Sequence, residues 1–117
     1  MPAGEKHLLK YNSNKELIGS ELFDPKTTLY RDWLITITFY SAVHLIEKVF
    51  ASVQFHSTSH INRDEDIMKF PILVPIAARY TLLEIQSKKA RYQCRQFSPK
   101  DIEDALAILC EIEKVAL

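Results

Sequence analysis

Residues 32–44, DWLITITFYSAVH, decide the fold. Trp33, Ile37, Tyr40, His44 and then Glu47 recur at i, i+4, i+7, i+11 and i+14, which is one face of a helix. Leu34, Thr38, Ser41, Leu45 and Val49 lie beside that face, and apolar residues continue around most of the circumference. The β-branched run Ile35, Thr36, Ile37, Thr38 and Val43 admits a strand. Strands, however, average about five or six residues, and this pattern persists far longer. The spacing therefore predicts a helix over 29–54, apolar nearly all round and hence central to its bundle, with the Trp33 ring buried.

Outward from this helix the chain reads as further helices. A first helix over 5–22 is predicted from Leu8, Leu9, Leu17, Ile18 and Leu22, with a weak point at Asn12-Ser13-Asn14. Phe23-Asp24-Pro25 closes it, because the residue before proline avoids the helical region, and Thr27 or Thr28 caps the next. A polar loop over 55–60, with Ser57 and Ser59 as N-cap candidates, leads to a short acidic helix over 61–70. Pro75 fits the first turn of a helix over 74–93, which sets Tyr80, Leu83, Ser87 and Ala90 or Arg91 on one face. Ser98-Pro99-Lys100-Asp101 is a start signal, with a serine cap, proline at the first position and an acid at the third. The helix it opens buries Ile102, Ala105, Leu106, Leu109, Ile112 and Ala116. Short connections imply antiparallel neighbours, so the expectation is an all-α, antiparallel four- to five-helix bundle, one domain over 1–117.

Composition agrees. A chain of 117 residues with 47% apolar content buries a core without metal or disulfide staples, and two glycines and five prolines leave little room for an all-β fold. Fifteen basic and fifteen acidic side chains cancel, which argues against a non-specific nucleic-acid binder and leaves room only for a local basic patch. Cys94 and Cys110 form no Cys-x-x-Cys pair and suit a reducing compartment. No apolar run reaches the roughly 18–20 residues of a membrane span, and the polar N-terminal stretch has no signal-peptide h-region. A soluble, cytoplasmic protein with no membrane contact is expected.

Several short motifs follow one another in order. They are an asparagine near the middle of the first helix, Asp32-Trp33, Phe39-Tyr40-x-Ala42-x-His44 and Ser59-His60-x-x-Arg63. Then come Tyr80-x-x-Leu83, Ser87-x-x-Ala90-Arg91-Tyr92 and Phe97-Ser98-Pro99-x-Asp101. Their order and spacing, over nearly the whole chain, resemble the HEPN family of small prokaryotic helical-bundle domains. The resemblance implies an RNA-cleaving toxin or a nucleotide-related binding module, often paired with a small nucleotidyltransferase and commonly homodimeric. RNase members carry an arginine followed closely by a histidine. Here Arg63, Arg79, Arg91 and Arg95 have no histidine downstream. The expected function is thus a non-catalytic module binding nucleotide, RNA or a protein partner, within a toxin–antitoxin or nucleotidyltransferase-linked system. The alternatives are a metal-independent endoribonuclease with a rearranged His/Arg site and a pure assembly subunit.

Metal-independent RNA cleavage needs a base for the 2′-hydroxyl proton, an acid for the leaving oxygen and a cation for the phosphorane. His44, His60, Arg63 and Arg91 supply those types, with Tyr40, Ser87 and Tyr92 as ligand-binding candidates. Each also has a structural reading. His44 fits a hydrogen-bonded core histidine, Ser59-His60-x-x-Arg63 a loop pin, Arg91 an anchor for carboxylates, and Tyr40 and Tyr92 core rings with tethered hydroxyls. His56 and His60 straddle a helix start and do not share a face, no Glu-x-x-His pairs suggest a di-iron bundle, and no glycine-rich loop cradles phosphate. No metal or cofactor is expected, and Cys94 reads as a passive thiol. Ile35, Phe39, Ile46, Phe50, Ile72, Leu73, Ile76 and Leu82 exceed what one small bundle covers, which adds a reason for a homodimer.

Overall fold

A computed structural model describes residues 4–53, 55, 60–93 and 95–117, with the backbone alone at 60 and 61. Five helices follow in order: α1 (Gly4–Ile18), α2 (Arg31–Ala51), α3 (His60–Ile67), α4 (Ala77–Tyr92) and α5 (Pro99–Ala116). Single 3₁₀ turns at Glu21–Phe23 and Val74–Ile76 punctuate the connections, and no strand occurs among the described residues. The fold is an all-α bundle. Helix α2 sits at its centre, packed against α1, α4 and α5.

The helix reading of the β-branched run holds because its hydroxyls are consumed locally. Thr36, Thr38 and Ser41 donate to the carbonyls of Asp32, Leu34 and Ile37 at 2.9, 2.7 and 2.8 Å. Thr38 and Ser41 thereby enter the core fully buried without an unsatisfied polar atom. Around them Leu34, Ile35, Phe39, Ala42, Leu45, Ile46 and Phe50 are buried. At the C-terminal end of α2 the Phe50 ring lies 4.8 Å from Phe70 and 5.3 Å from Phe55, closing that end of the core.

The capping signal at Ser98 forms as read. Its hydroxyl accepts from the Asp101 amide at 3.2 Å, the Asp101 carboxylate accepts from the Ser98 amide at 2.9 Å, and Pro99 takes the first position. Helix α5 buries Ile102, Ala105, Leu109, Ile112 and Ala116; Ile108 is buried as well, while Leu106 is half-buried. Thr28 does not cap α2, which starts after Tyr30. Its hydroxyl instead donates to the Leu22 carbonyl at 2.8 Å and accepts from the Tyr30 amide at 3.0 Å, pinning the loop that delivers α2. Contacts fix the directions. His7 meets His44, and Ala90 and Arg91 meet Asp32 and Trp33, so α1 and α4 run antiparallel to α2. Lys48 donates to the Ala116 carbonyl at 3.0 Å while Phe97 neighbours Asp32, so α5 runs alongside α2 in the same sense.

Four expectations are corrected. Trp33 is exposed, at 61%. Along its face Ile37 and His44 are half-buried, Tyr40 is at the edge of exposure and Glu47 is buried, so the stripe runs from solvent into the core. Helix α1 docks through His7, Tyr11 and Asn14, with Leu8 and Ile18 half-buried against the core as read, whereas Leu9, Leu17 and Leu22 are exposed. Tyr11 donates to Glu113 and Lys15 pairs with the same carboxylate at 3.1 Å, so polar contacts bind α1 to α5. The supposed apolar surplus is absorbed within one chain, since Ile35, Phe39, Ile46, Phe50, Leu73 and Ile76 are all buried and only Ile72 and Leu82 are exposed. Finally, α2 does have the length and composition of a membrane span, but it is mostly buried inside the bundle. Helix α2 also ends at Ala51, short of the expected position 54, with Ser52 and Val53 in a turn. The candidate caps Ser57 and Ser59 and Cys94 lie outside the described residues; Cys110 is exposed and free.

Because Trp33 lies outside the core, Trp33→Ala is expected to change stability by no more than about 0.5 kcal/mol, as for a surface position. Leu34→Ala, one residue along, should cost about 2–5 kcal/mol. Denaturant unfolding of the two variants checks the contrast, and equal losses would put Trp33 back in the core.

Candidate functional site

The face of α2 that carries Tyr40, His44 and Glu47 forms a seam with α1, α3 and α4. At its deep end the Arg63 Nε, from α3, lies 2.9 Å from Glu47 Oε1, and both side chains are buried. Tyr80 of α4, fully buried, lies against this pair, and burial pushes its phenol well up. One turn on, Glu84 is buried, and its carboxyl is pushed up to about 7 by burial and then by the hydrogen bond and charge of Asp64. Ser87, one turn further, donates to the Glu84 carbonyl at 2.9 Å and accepts from Arg91 Nη1 at 3.2 Å. The Arg91 guanidinium lies 5.8, 5.5 and 5.4 Å from the ring centres of Phe39, Tyr40 and Tyr92.

His44 turns toward α1. Its Nδ1 lies 3.0 Å from the Nδ1 of buried His7. One ring must donate there and the other present a lone pair, so the contact requires at least one neutral imidazole. Burial, followed by the positive charges of His7, Lys10 and Arg63, pushes His44 down to about 4 against the opposing pull of Glu47. At neutral pH His44 carries no charge.

Of the sequence-nominated residues, His44, Arg63 and Arg91 each have their own partner. His44 faces His7, Arg63 faces Glu47, and Arg91 faces Ser87 and three rings. Tyr40 is the ring that links His44 to Arg91, and Tyr92 is exposed beside it. His60 opens α3, and its side chain lies outside the described residues. The two arginines differ. Arg63 is neutralised by Glu47, while Arg91 has no carboxylate partner among the described residues. Among the described residues no three His, Cys, Asp or Glu side chains group as metal ligands would.

An open groove lies between α1 and the face of α2 that carries Trp33, Ile37, Tyr40 and His44. It has a volume of about 450 Å³ and is lined by Lys10, Asn14, Leu17, Phe23, Trp33, Thr36, Ile37, Tyr40 and His44. Trp33 also walls two adjoining hollows. One, of about 230 Å³, is lined by Asp32, Thr36, Ala90 and Arg91. The other, of about 390 Å³, is lined by Leu22, Phe23 and Tyr30. A more polar hollow of about 270 Å³ beyond Asp32 holds Arg31, Arg95 and Phe97. Sequence reasoning missed His7, Lys10 and Asn14 because it read α1 by its leucines. The stripe His7, Tyr11, Asn14, at i, i+4 and i+7, was the available signal.

No family model, curated protein or solved structure matches this chain.

Two outcomes follow from the seam. Removing one member of a buried ion pair strands the other, so Arg63→Leu should cost about 3–5 kcal/mol, and adding Glu47→Leu should restore part of that loss. Stability against pH should show opposed contributions. His44 drops from 6.5 to about 4 on folding, so its contribution is present above pH 6.5 and lost as pH falls toward 4. Glu84 rises from 4.5 to about 7, so its contribution is present below pH 4.5 and lost as pH rises toward 7. Relative to wild type, Glu84→Gln should therefore gain stability as pH rises from about 4.5 to 6.5, and His44→Asn should lose it. Denaturant midpoints across that range test this, and parallel profiles for the two variants would remove the assignment.

Proposed function

We propose that this chain is a non-catalytic, HEPN-like module that binds single-stranded RNA or nucleotide along the N-terminal half of α2. The observation that carries the reading is the exposed Trp33, which walls three adjoining hollows with Arg91 on one side and Lys10 on the other. Stacking on an aromatic ring combined with a nearby cation is the usual physical basis of single-strand binding, because every base has a π-face and every linkage a charge. Arg91 suits the phosphate role better than Arg63, since its charge is held only by a hydroxyl and ring faces. Its position among rings also orients it without cancelling it. The zero net charge accords with few phosphate contacts and modest affinity.

The alternative, cleavage through a rearranged His/Arg site, is less well supported. His44 is a weak base in this setting, its Nδ1 is engaged by His7, and Arg63 is committed to Glu47. A second copy of the chain and a nucleotidyltransferase-type protein remain the partners that the HEPN resemblance proposes. Light scattering with and without RNA addresses the first of these.

Trp33 is the single tryptophan and therefore reports directly on its own groove. Titration with a uridine oligoribonucleotide at low salt should quench its fluorescence. Loss of one stacked base costs about 1–3 kcal/mol, so Trp33→Ala, followed by anisotropy of a labelled oligomer, should weaken binding roughly 10-fold or more. The RNA should remain intact on a gel. Absence of quenching and of any anisotropy change at high micromolar protein would sink the reading, and cleavage products would favour the nuclease.

A further inference from the structure

The groove beside Trp33 contains a polar group that the fold itself does not use. Asn14 is only 9% exposed and lines the groove, and its side-chain amide makes no hydrogen bond to the protein among the described residues. The amide is not sealed from water: its polar atoms are reached through the open groove, so a ligand there can take the place of solvent. The surroundings of Asn14 are spoken for. The Thr36 hydroxyl bonds its own helix, and the His44 Nδ1 faces His7. What remains is one acceptor and two donors of an amide, directed into a slot walled by the Trp33 and Tyr40 rings.

We propose that Asn14 reads the edge of one nucleobase held in this slot. The inference rests on the binding function proposed above and assigns that site its specificity-determining residue. A nucleobase matches on three counts. Its flat apolar faces suit aromatic walls, and its edge presents a donor and an acceptor side by side, which is the complement of an asparagine amide. Its phosphate carries a charge that Lys10, exposed at the rim, can meet. No carboxylate lines the slot, so nothing there selects a cation. A sugar can lay a C–H face on these rings but brings more hydroxyls than one amide can pair, and an acyl chain has no use for the amide. The volume of about 450 Å³ lies within the range of small-ligand sites and admits a single nucleoside. The remainder of the track, past Arg91 toward Arg31 and Arg95, also carries the Asp32 carboxylate and the Gln96 side chain, and its cations are suited to backbone phosphates.

The test compares full-length wild type with Asn14→Ala against four labelled homo-oligoribonucleotides and an abasic ribose-phosphate oligomer of equal length. Wild type should bind at least one base-bearing oligomer ten-fold or more tighter than the abasic one. Asn14→Ala should lose about 10- to 100-fold for that oligomer, the span expected of one paired base edge. Its affinity for the abasic oligomer should stay unchanged, which a collapsed groove would not allow. Its melting temperature should be little changed, because no hydrogen bond within the protein is removed. Competition by the matching free nucleoside monophosphate would identify a mononucleotide as the ligand. Competition only by oligomers would identify an RNA strand. If Asn14→Ala binds every oligomer as wild type does, the base-reading role is overturned while the binding function stands. If wild type binds no oligomer and no mononucleotide, both fall together.

Discussion

A helix enclosed on three sides must find an internal partner for every polar group it carries, and that constraint on α2 organises this molecule. Thr38 and Ser41 return their hydroxyls to their own helix, which costs no neighbour anything. Glu47 cannot do so. Its carboxylate draws Arg63 inward, and Arg63 brings α3 against the core with Tyr80 beside it. His44 likewise requires a partner and takes His7 from α1. The ion pair does little for net stability compared with a well-packed apolar pair, yet breaking it is costly. Its consequence is positional, since it fixes where a short helix of eight residues docks.

The same constraint explains the unusual docking of α1. Its buried residues are His7, Tyr11 and Asn14, and its leucines point largely outward. Polar contacts, an imidazole pair and Tyr11 and Lys15 on Glu113, thus join Leu8 and Ile18 in holding this helix. The groove opens along it, with Leu17 and Phe23 on one wall and Trp33 on the other.

How much of this was legible in the sequence follows from the range of each interaction. Helix α2 was readable because its apolar pattern persists too long for a strand, and α5 because Ser98 and Asp101 cap it within one turn. The face of α4 was readable too, with Tyr80, Leu83 and Ser87 all buried. Trp33 was misplaced because periodicity assigns a face and says nothing about where along that face a neighbour stops. Helix α1 was read only in part: Leu8 and Ile18 pack against the core, but leucines outrank histidine, tyrosine and asparagine on any apolar scale, so His7, Tyr11 and Asn14 were passed over. Its docking was decided instead by His44, thirty-seven positions from His7. Arg63 and Arg91 looked equivalent in the sequence and separated only when Glu47 claimed one of them. The seam was visible as a set of residue types, and their pairing was not.

That pairing bears on what the seam can do. Acid–base chemistry on a phosphate needs groups that change protonation near neutrality and stand free to reach one ligand atom. His44 is held neutral by burial and by the cations around it, and the charge of Arg63 is matched at 2.9 Å. Glu84 does titrate near neutrality, but it is buried, with Asp64 and the Tyr80 turn about it. What faces solvent is different in kind: Trp33, Tyr92, the edge of Tyr40, and an arginine poised among rings. The interior matches Arg63 with Glu47, whereas the outer end of the same helix face leaves flat rings beside Lys10 and Arg91. Such a division favours holding a ligand over transforming it.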